Sequence, residues 1–564
     1  MDDKLIIEHR KEKQESEDFK KRRFAQWNEN YNLYRDLVKT NRLTQRQAIN
    51  IPIMRETIQT WISKIDETPD LVFTSRGRGD KNKTGELIVK ELWDYYFDKN
   101  KLDILDNVDK KIVGLQGRSF KICGVSRGDF FVDIIDPYDI EISPKGNPLD
   151  LNDAQYVIRT HIFKPLREVL ANKNYSEDAK TALKIYMDSK EGLIQAAATR
   201  EAYIEKMDRL RDLGAENFDD YNVSEVLVEV NESYKMQWNK EKNQFVRNLI
   251  VIALDKVVLF NKPLKDAIGI SKLPIVSWAD DPDLNDIWCD GKGDSVRTVN
   301  KVVNMYISQD IENRTYRTFG MRFFNTLNGT FSPRAFDPKP FAMYGVPGNP
   351  ADIFQEMTIP ELGDTTNNIN FLKEMIQSSV AQTPTERGLA AGSRTTLGEV
   401  EINLQQSQGR NSVSSKHYRR CWKEAGELFY EMMSQNKATP ITLYKEAPNG
   451  ELQRKDIYPS EWILPEGYEC KVSVRADKDM ADQFALQKAQ YVIANFQANP
   501  TALRIARRKQ LEIMGWTDDE INEAMSAEEM AEESVMEQPE IEEPTGQATG
   551  RPFNNSQMLQ QATA

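Results

Sequence analysis

Residues 291–320, GKGDSVRTVNKVVNMYISQDIENRTYRTFG, and residues 364–382, DTTNNINFLKEMIQSSVAQ, decide how this chain is read. In the first stretch Val296, Val299, Val303, Tyr306, Ile307 and Ile311 form one stripe, with Arg297, Lys301, Asn304, Ser308, Glu312 and Thr315 opposite. That spacing predicts an amphipathic helix from Asp294 to Phe319. The second opens on Asp364 as an N-cap, carries Ile369, Leu372, Met375, Ile376 and Val380, and is stopped by Pro384. Between them, residues 325–350, NTLNGTFSPRAFDPKPFAMYGVPGNP, hold too much Pro and Gly to continue either helix. Residues 383–401, TPTERGLAAGSRTTLGEVE, then read as a mobile loop with two arginines, loosened by Gly388, Gly392 and Gly398, and Thr395 to Glu399 offers a new helix start.

Outward from this centre the pattern changes several times. Residues 1–40 read as helix, with Phe24, Trp27, Tyr31 and Tyr34 as packing anchors. A mixed region to about residue 175 contains strands near Phe120–Cys123 and Phe130–Ile135, and residues 176–214 read as helices. From Val226 to Phe260 the period becomes two, which predicts an antiparallel meander whose face Tyr234 and Trp238 cover. Ser415 to Gln435 is a helix with Tyr418, Trp422, Leu428, Phe429 and Met432 inward. Asn449-Gly450 in ITLYKEAPNGELQRKDI is a strong hairpin turn, and CKVSVRAD offers one more strand. Residues 477–498 and 501–514 are again helical, the latter carrying Arg504, Arg507, Arg508 and Lys509. Segregated helices and antiparallel strands make the expected class α+β.

The 564 residues, 39% hydrophobic, exceed what one core organises, so more than one packed region is expected. The longest apolar run, Leu249 to Leu254, is far short of a membrane span, and MDDKLIIEHRKEKQESEDFKKRR lacks a signal-peptide apolar region, so synthesis in the cytosol is expected. Cys123, Cys289, Cys421 and Cys470 stand singly, which gives neither a disulfide framework nor a zinc spacing and reads as reduced, buried thiols. Between Gln510 and Gly550 there are thirteen acids and no Lys or Arg, equal to the whole net charge of −13. The acidity therefore belongs to a tail, expected to be solvated and disordered toward its end; docking or repulsion of DNA is its functional alternative.

Chemistry-bearing motifs are sparse. Asp281, Asp283 and Asn285 imitate the opening of a calcium loop, but Asp286 stands where the sharp turn needs Gly and Lys292 where a bidentate Glu belongs. Gly388 and Gly392 do not have the P-loop spacing that brings amides and one Lys to a phosphate. His9, His161 and His417 have no metal or triad context. No cofactor and no catalytic set is expected.

Helix, small insert, helix, loop and long helix, in that order, resemble the stem, clip, stem and tunnel loop of tailed-bacteriophage portal proteins. Other stretches agree: NIPIMRETIQTWISKIDETPDLVFTSRG, VDKKIVGLQGRSFKICGVSRGDFFVDIIDPYDIEISP with its Asp136-Pro137, and the Thr-x-x-Glu stretch in SRTTLGEVEINLQQSQGRNSV. The resemblance spans roughly residues 20–500 and lies more in the order of parts than in letters. It implies a wing and adjoining α+β region over 1–290, a first stem helix over 291–320, a clip over 321–362 and a second stem helix over 363–382. A tunnel loop over 383–398, a return to the wing over 399–475, a helical crown over 476–530 and an acidic tail over 531–564 would complete the chain. The implied assembly is a homo-oligomeric ring, of about twelve subunits, closed by rotation at one capsid vertex of the virion. Double-stranded DNA would pass through it without sequence readout. Its implied partners are the terminase motor, capsid and scaffold proteins and a tail adaptor, with no membrane.

Within that scheme Arg387, Ser393, Arg394 and Thr395 would line the channel, the arginines touching phosphates. Arg297, Lys301, Arg314 and Lys373 would give the stem its polar faces. Phe331, Arg334, Phe336, Phe341 and Tyr344 would form the clip interface, aromatics being favoured anchors. Three alternatives stand beside it: an exposed loop whose arginines only solubilise it, a DNA-processing enzyme such as a nuclease or terminase-like ATPase, and another head or tail structural protein.

Overall fold

The computed structural model describes residues 2–37, 50–65, 70–77, 80–126, 128–213, 225–239, 243–318, 322–324, 354–356, 360, 363, 365–380, 397–435, 440–446, 452–473, 486, 488–493 and 500–513. The chain divides into two compact units, Met1–Arg475 and Ala476–Ala564. The first begins with α1 (Asp2–Tyr34), α2 (Ile53–Ile62), β1 (Asp70–Ser75), α3 (Asp80–Lys99), α4 (Leu102–Gln116), β2 (Arg118–Ser126) and β3 (Asp129–Ile135). It continues with β4 (Ile140–Ile142), β5 (Tyr156–Pro165), α5 (Leu166–Ala171), α6 (Glu177–Met187), α7 (Lys190–Leu213), β6 (Leu227–Asn239), β7 (Gln244–Ala253), β8 (Val257–Pro263), α8 (Leu264–Ile268) and β9 (Ile275–Ala279). The central region holds α9 (Lys292–Thr318), β10 (Arg322–Phe324), β11 (Phe354–Glu356), α10 (Thr365–Ser379) and α11 (Leu397–Gln435). Then come β12 (Ile441–Glu446), β13 (Leu452–Ile457), α12 (Pro459–Trp462) and β14 (Tyr468–Ser473), and the second unit contains α13 (Pro500–Ile513).

The described strands pair antiparallel, which makes the architecture α+β. The largest sheet has the order β4-β5-β6-β7-β8, a meander produced by the period-two stretch, and β3-β2-β9 forms a second sheet. Period two puts alternate side chains on one face, and α6 covers that face of the large sheet: Leu183 and Met187 pack with Val228, Val230, Val251 and Leu259. Tyr234 is buried as expected, but Trp238 is half exposed. It lies beside the hairpin end of β6 and β7, opposite Phe245, where its ring meets Phe245 edge-on at 5.0 Å and no longer covers the sheet.

The strand read from CKVSVRAD is β14, and its partner is β1, far away in sequence. β12 and β13 pair as the hairpin reading requires, while the Asn449-Gly450 turn itself lies outside the described residues. These parts close over the largest core, where Phe429 of α11 meets Phe130 at 5.0 Å and Trp93 at 5.3 Å, both edge-on. Edge-on packing sets the positive ring edge against the negative face and adds to the gain from burial. α1 docks on a second core through Trp27, whose ring meets Trp288 at 5.5 Å. Lys20 accompanies it inside, donating to the carbonyls of Tyr138 and Ile140 and to Glu141, so its buried charge is matched.

Candidate functional site

The start of α9 is set by glycines. α4 ends at Gly117, whose φ of 87° lies in the left-handed region and whose missing side chain admits Cys289: a Cβ there would stand 2.0 Å from the Cys289 carbonyl oxygen. At Gly291 a Cβ would meet the Gly114 carbonyl and the Gly117 amide at 2.8 Å. This close approach fixes where α9 starts. Asp294 then ties its first turn, accepting from the Gly291 amide at 3.0 Å and from Asn30 Nδ2 at 3.1 Å. A carboxylate at a helix N-terminus also suits the helix dipole.

From there α9 is enclosed by α1, α2, α4 and α10, and this changes which of its residues are outside. Val296 and Val303 are buried with Ile376 and Val380, while Val299, Ile307, Ile369 and Leu372 are partly covered. Ser308, expected on the solvent face, is buried and donates to the Asn304 carbonyl at 2.7 Å. Asn304 and the fully buried Asn300 accept from the amides of Ile51 and Met54 at 2.9 and 3.1 Å. α2 opens on Pro52 without a side-chain cap of its own, so Asn300 of α9 supplies an acceptor for the Met54 amide, a donor that the helix start leaves unpaired, while Asn304 fixes the chain just before it.

The four stem residues take different places. Arg297 is mostly covered and donates to Asp294, with Glu29 of α1 3.5 Å away. Lys301 reaches the same Glu29 at 2.7 Å. Both cations therefore bind α9 to α1. Arg314 is exposed and pairs with Asp310 one turn earlier at 2.9 Å, and Lys373 is half-buried on α10. Met305 of α9 and Phe371 and Met375 of α10 are 39%, 61% and 49% exposed.

The long helix α11 is held by buried carboxylates that the sequence reading did not single out. Asp106 accepts from Tyr418 OH and Lys110 Nζ, each at 2.7 Å, and from Trp422 Nε1 at 3.3 Å. Asp109 accepts from Lys121 at 2.5 Å, from Trp278 Nε1 at 2.6 Å and from Ser119. Asp280 accepts from Ser414 of α11 at 2.6 Å and lies 3.3 Å from Lys292 at the start of α9. Burial opposes the charge of Lys121, but Asp109 and its neighbours outweigh that and hold its pKa above the ordinary lysine range. Burial pushes Asp280 up despite Lys292 and Ser414, and pushes the Cys421 thiol up to about 12. Removing one member of such a buried pair costs about 3–5 kcal/mol, because the other charge is left uncompensated. The available signal was polar residues inside apolar patterns: Asp106, Asp109 and Lys110 within LDILDNVDKKIVGLQ, and Lys121 within RSFKICGVS.

Arg387, Ser393, Arg394 and Thr395 of the expected loop, and Phe331, Arg334, Phe336, Phe341 and Tyr344 of the expected clip, lie outside the described residues. The insert is framed by the antiparallel pair β10 and β11, with Phe324 opposite Phe354. In the calcium-like stretch, Asp283 accepts from the Asn285 amide at 2.9 Å, while Asp286, standing where the sharp turn would need Gly, meets Arg22 and Arg23 of α1 at 2.7 and 3.2 Å, and the nearby Asp290 also meets Arg23. His9 is buried with Nε2 3.2 Å from Asp255, and His161 Nδ1 is 3.1 Å from Asp139. All four cysteines are free and buried. Among the described residues no group of three His, Cys, Asp or Glu side chains is placed to hold a metal, and no helix is long and apolar enough to cross a membrane. Comparison with protein-family models and with curated proteins returns no match.

Proposed function

We propose that this chain is the subunit of a phage portal ring, through which double-stranded DNA enters and later leaves a capsid. The observation that carries the reading is the unfinished surface of α9 and α10. Their inner stripe is satisfied within the chain, yet Phe371 and Met375, one turn apart on α10, and Met305 on α9 remain exposed. Large apolar side chains at helical spacing on a polar-backed pair call for a neighbour, and burying each fully would contribute about 1.5–3 kcal/mol. The order of parts supports the same reading: helix, short strand pair around an insert, returning helix, long helix.

In this proposal neighbouring copies cover those side chains and the ring closes by rotation. The insert within 321–362 meets the terminase motor and then the tail adaptor. Arg387 and Arg394 touch passing phosphates weakly, many times around the ring, and read no bases. Capsid and scaffold proteins hold the ring at its vertex.

Mass photometry and end-on electron images of the full chain test this. A large annular species with a central hole is expected, and Phe371→Glu with Met375→Glu should shift it to smaller species while leaving far-ultraviolet circular dichroism unchanged. A monomer that forms no ring at any concentration would overturn the proposal.

A further inference from the structure

We propose that the outer face of α7, Lys190–Leu213, is a docking surface for the same face of a second copy of this chain, the two helices lying antiparallel across a two-fold axis. On the inner side of α7, Gly192, Thr199 and Tyr203 are buried and Ala196 is half-buried, with Tyr203 packed on Phe163 and Leu227 of the large sheet. At about 100° per residue, Lys190, Ile194, Ala197, Ala198 and Glu201 fall within one arc on the opposite side, and each is exposed. Ile194 is 73% exposed, more than any other large apolar side chain among the described residues, and Leu193 at the edge of the arc is 65% exposed. A helix with apolar side chains at such spacing on both of its sides calls for a cover on each.

The occupant follows from the order of residues along the stripe, which is complementary to itself when reversed. With the axis between Gln195 and Ala196, Ile194 stands opposite Ala197 of the second copy and Lys190 opposite its Glu201, and symmetry makes each pair occur twice. A large side chain then meets a small one, so the helices approach closely, and a cation meets an anion at each end. A parallel pair would instead set Lys190 on Lys190 and Glu201 on Glu201, like charge on like. Among the described residues neither Lys190 nor Glu201 has an ion-pair partner within its own chain, whereas Glu191 and Lys206 of the same helix pair with Lys256 and Asp139. Residues 190–201 supply fewer than the roughly 20–30 residues a side of a stable interface, so a single contact is weak and depends on concentration. A two-fold contact cannot itself close a large ring, which needs unlike surfaces to meet, so it joins two chains or two rings and does not depend on the ring reading.

Sedimentation velocity of the full chain over a wide concentration range tests this. The basic species, single chain or ring, should double in mass as concentration rises. Ile194→Glu, at an exposed position where the fold tolerates it, should weaken the doubling by roughly tenfold or more, because two apolar side chains lose their cover. Lys190→Glu and Glu201→Lys, each alone, should weaken it by roughly tenfold, two attractive pairs becoming repulsive, and the two together should restore it. All four native cysteines are buried, so Ala197→Cys supplies a lone surface thiol near the axis. Oxidised glutathione should link two copies through it and should not link Arg211→Cys, which lies far along the helix. No doubling at any concentration overturns the proposal and leaves the face to a different protein. So does doubling that Ile194→Glu leaves unchanged, or a charge-swapped double variant no better than either single one. The Phe371→Glu, Met375→Glu chain keeps the two readings apart: it should lose any ring and retain the α7 pairing.

Discussion

Single residues act here mainly by satisfying one another across distant parts of the chain. Asp255, in the turn after β7, receives Lys13 Nζ at 2.9 Å and Asn231 Nδ2 at 2.6 Å, and faces His9 at 3.2 Å. Burial opposes its charge, yet His9 and Lys13 outweigh that and hold its carboxyl well below the usual range. A native pKa below the unfolded value of about 3.9 means that the stabilisation is complete above about pH 5 and is lost as pH falls toward the native value. Asp255→Asn should therefore destabilise most near neutrality, and its gap from the parent should begin to narrow below about pH 4. Urea midpoints at the two pH values check this; a gap of constant size would show that the charge is not what matters.

At the scale of elements, α9 organises its neighbours as much as it packs with them. Asn300 acts as a cap in trans for α2, and Asn304 ties the chain just before it, roles with no local sequence signature, since the amides they accept lie 246 and 253 positions earlier. Asn300→Ala should cost about 1–2 kcal/mol, the upper end of the range of lost helix caps because the site is buried. Hydrogen exchange locates the effect: protection should fall at Met54 and its neighbours at the start of α2, and not in α10. Uniform loss over the whole first unit would mean that Asn300 serves packing alone. Arg297 and Lys301 show the same principle, because an amphipathic pattern gives the polar side of a helix without saying whether water or another helix will meet it.

For the whole molecule, every member of the described apolar clusters belongs to the unit Met1–Arg475, including the seven fully buried tryptophans 27, 61, 93, 278, 288, 422 and 462. Residues 1–475 alone should fold with the parent's blue-shifted tryptophan emission and nearly its thermal midpoint; a red-shifted, non-cooperative product would show that the second unit completes the core. The sequence by itself determined the element types, because periodicity and turn chemistry are local: α9, α10, the meander and the β12–β13 hairpin stand where their patterns put them. It also determined where the net negative charge lies, in the thirteen acids from Glu512 to Glu543. Only the tertiary structure decided that β14 pairs with β1, that Trp238 is half exposed, that Ser308 is buried, that Asp106 and Asp280 hold α11 from inside, and that Asp109 matches the buried charge of Lys121. Those outcomes depend on which distant groups meet, and a buried charge is stable only where the fold brings its partners within hydrogen-bond reach.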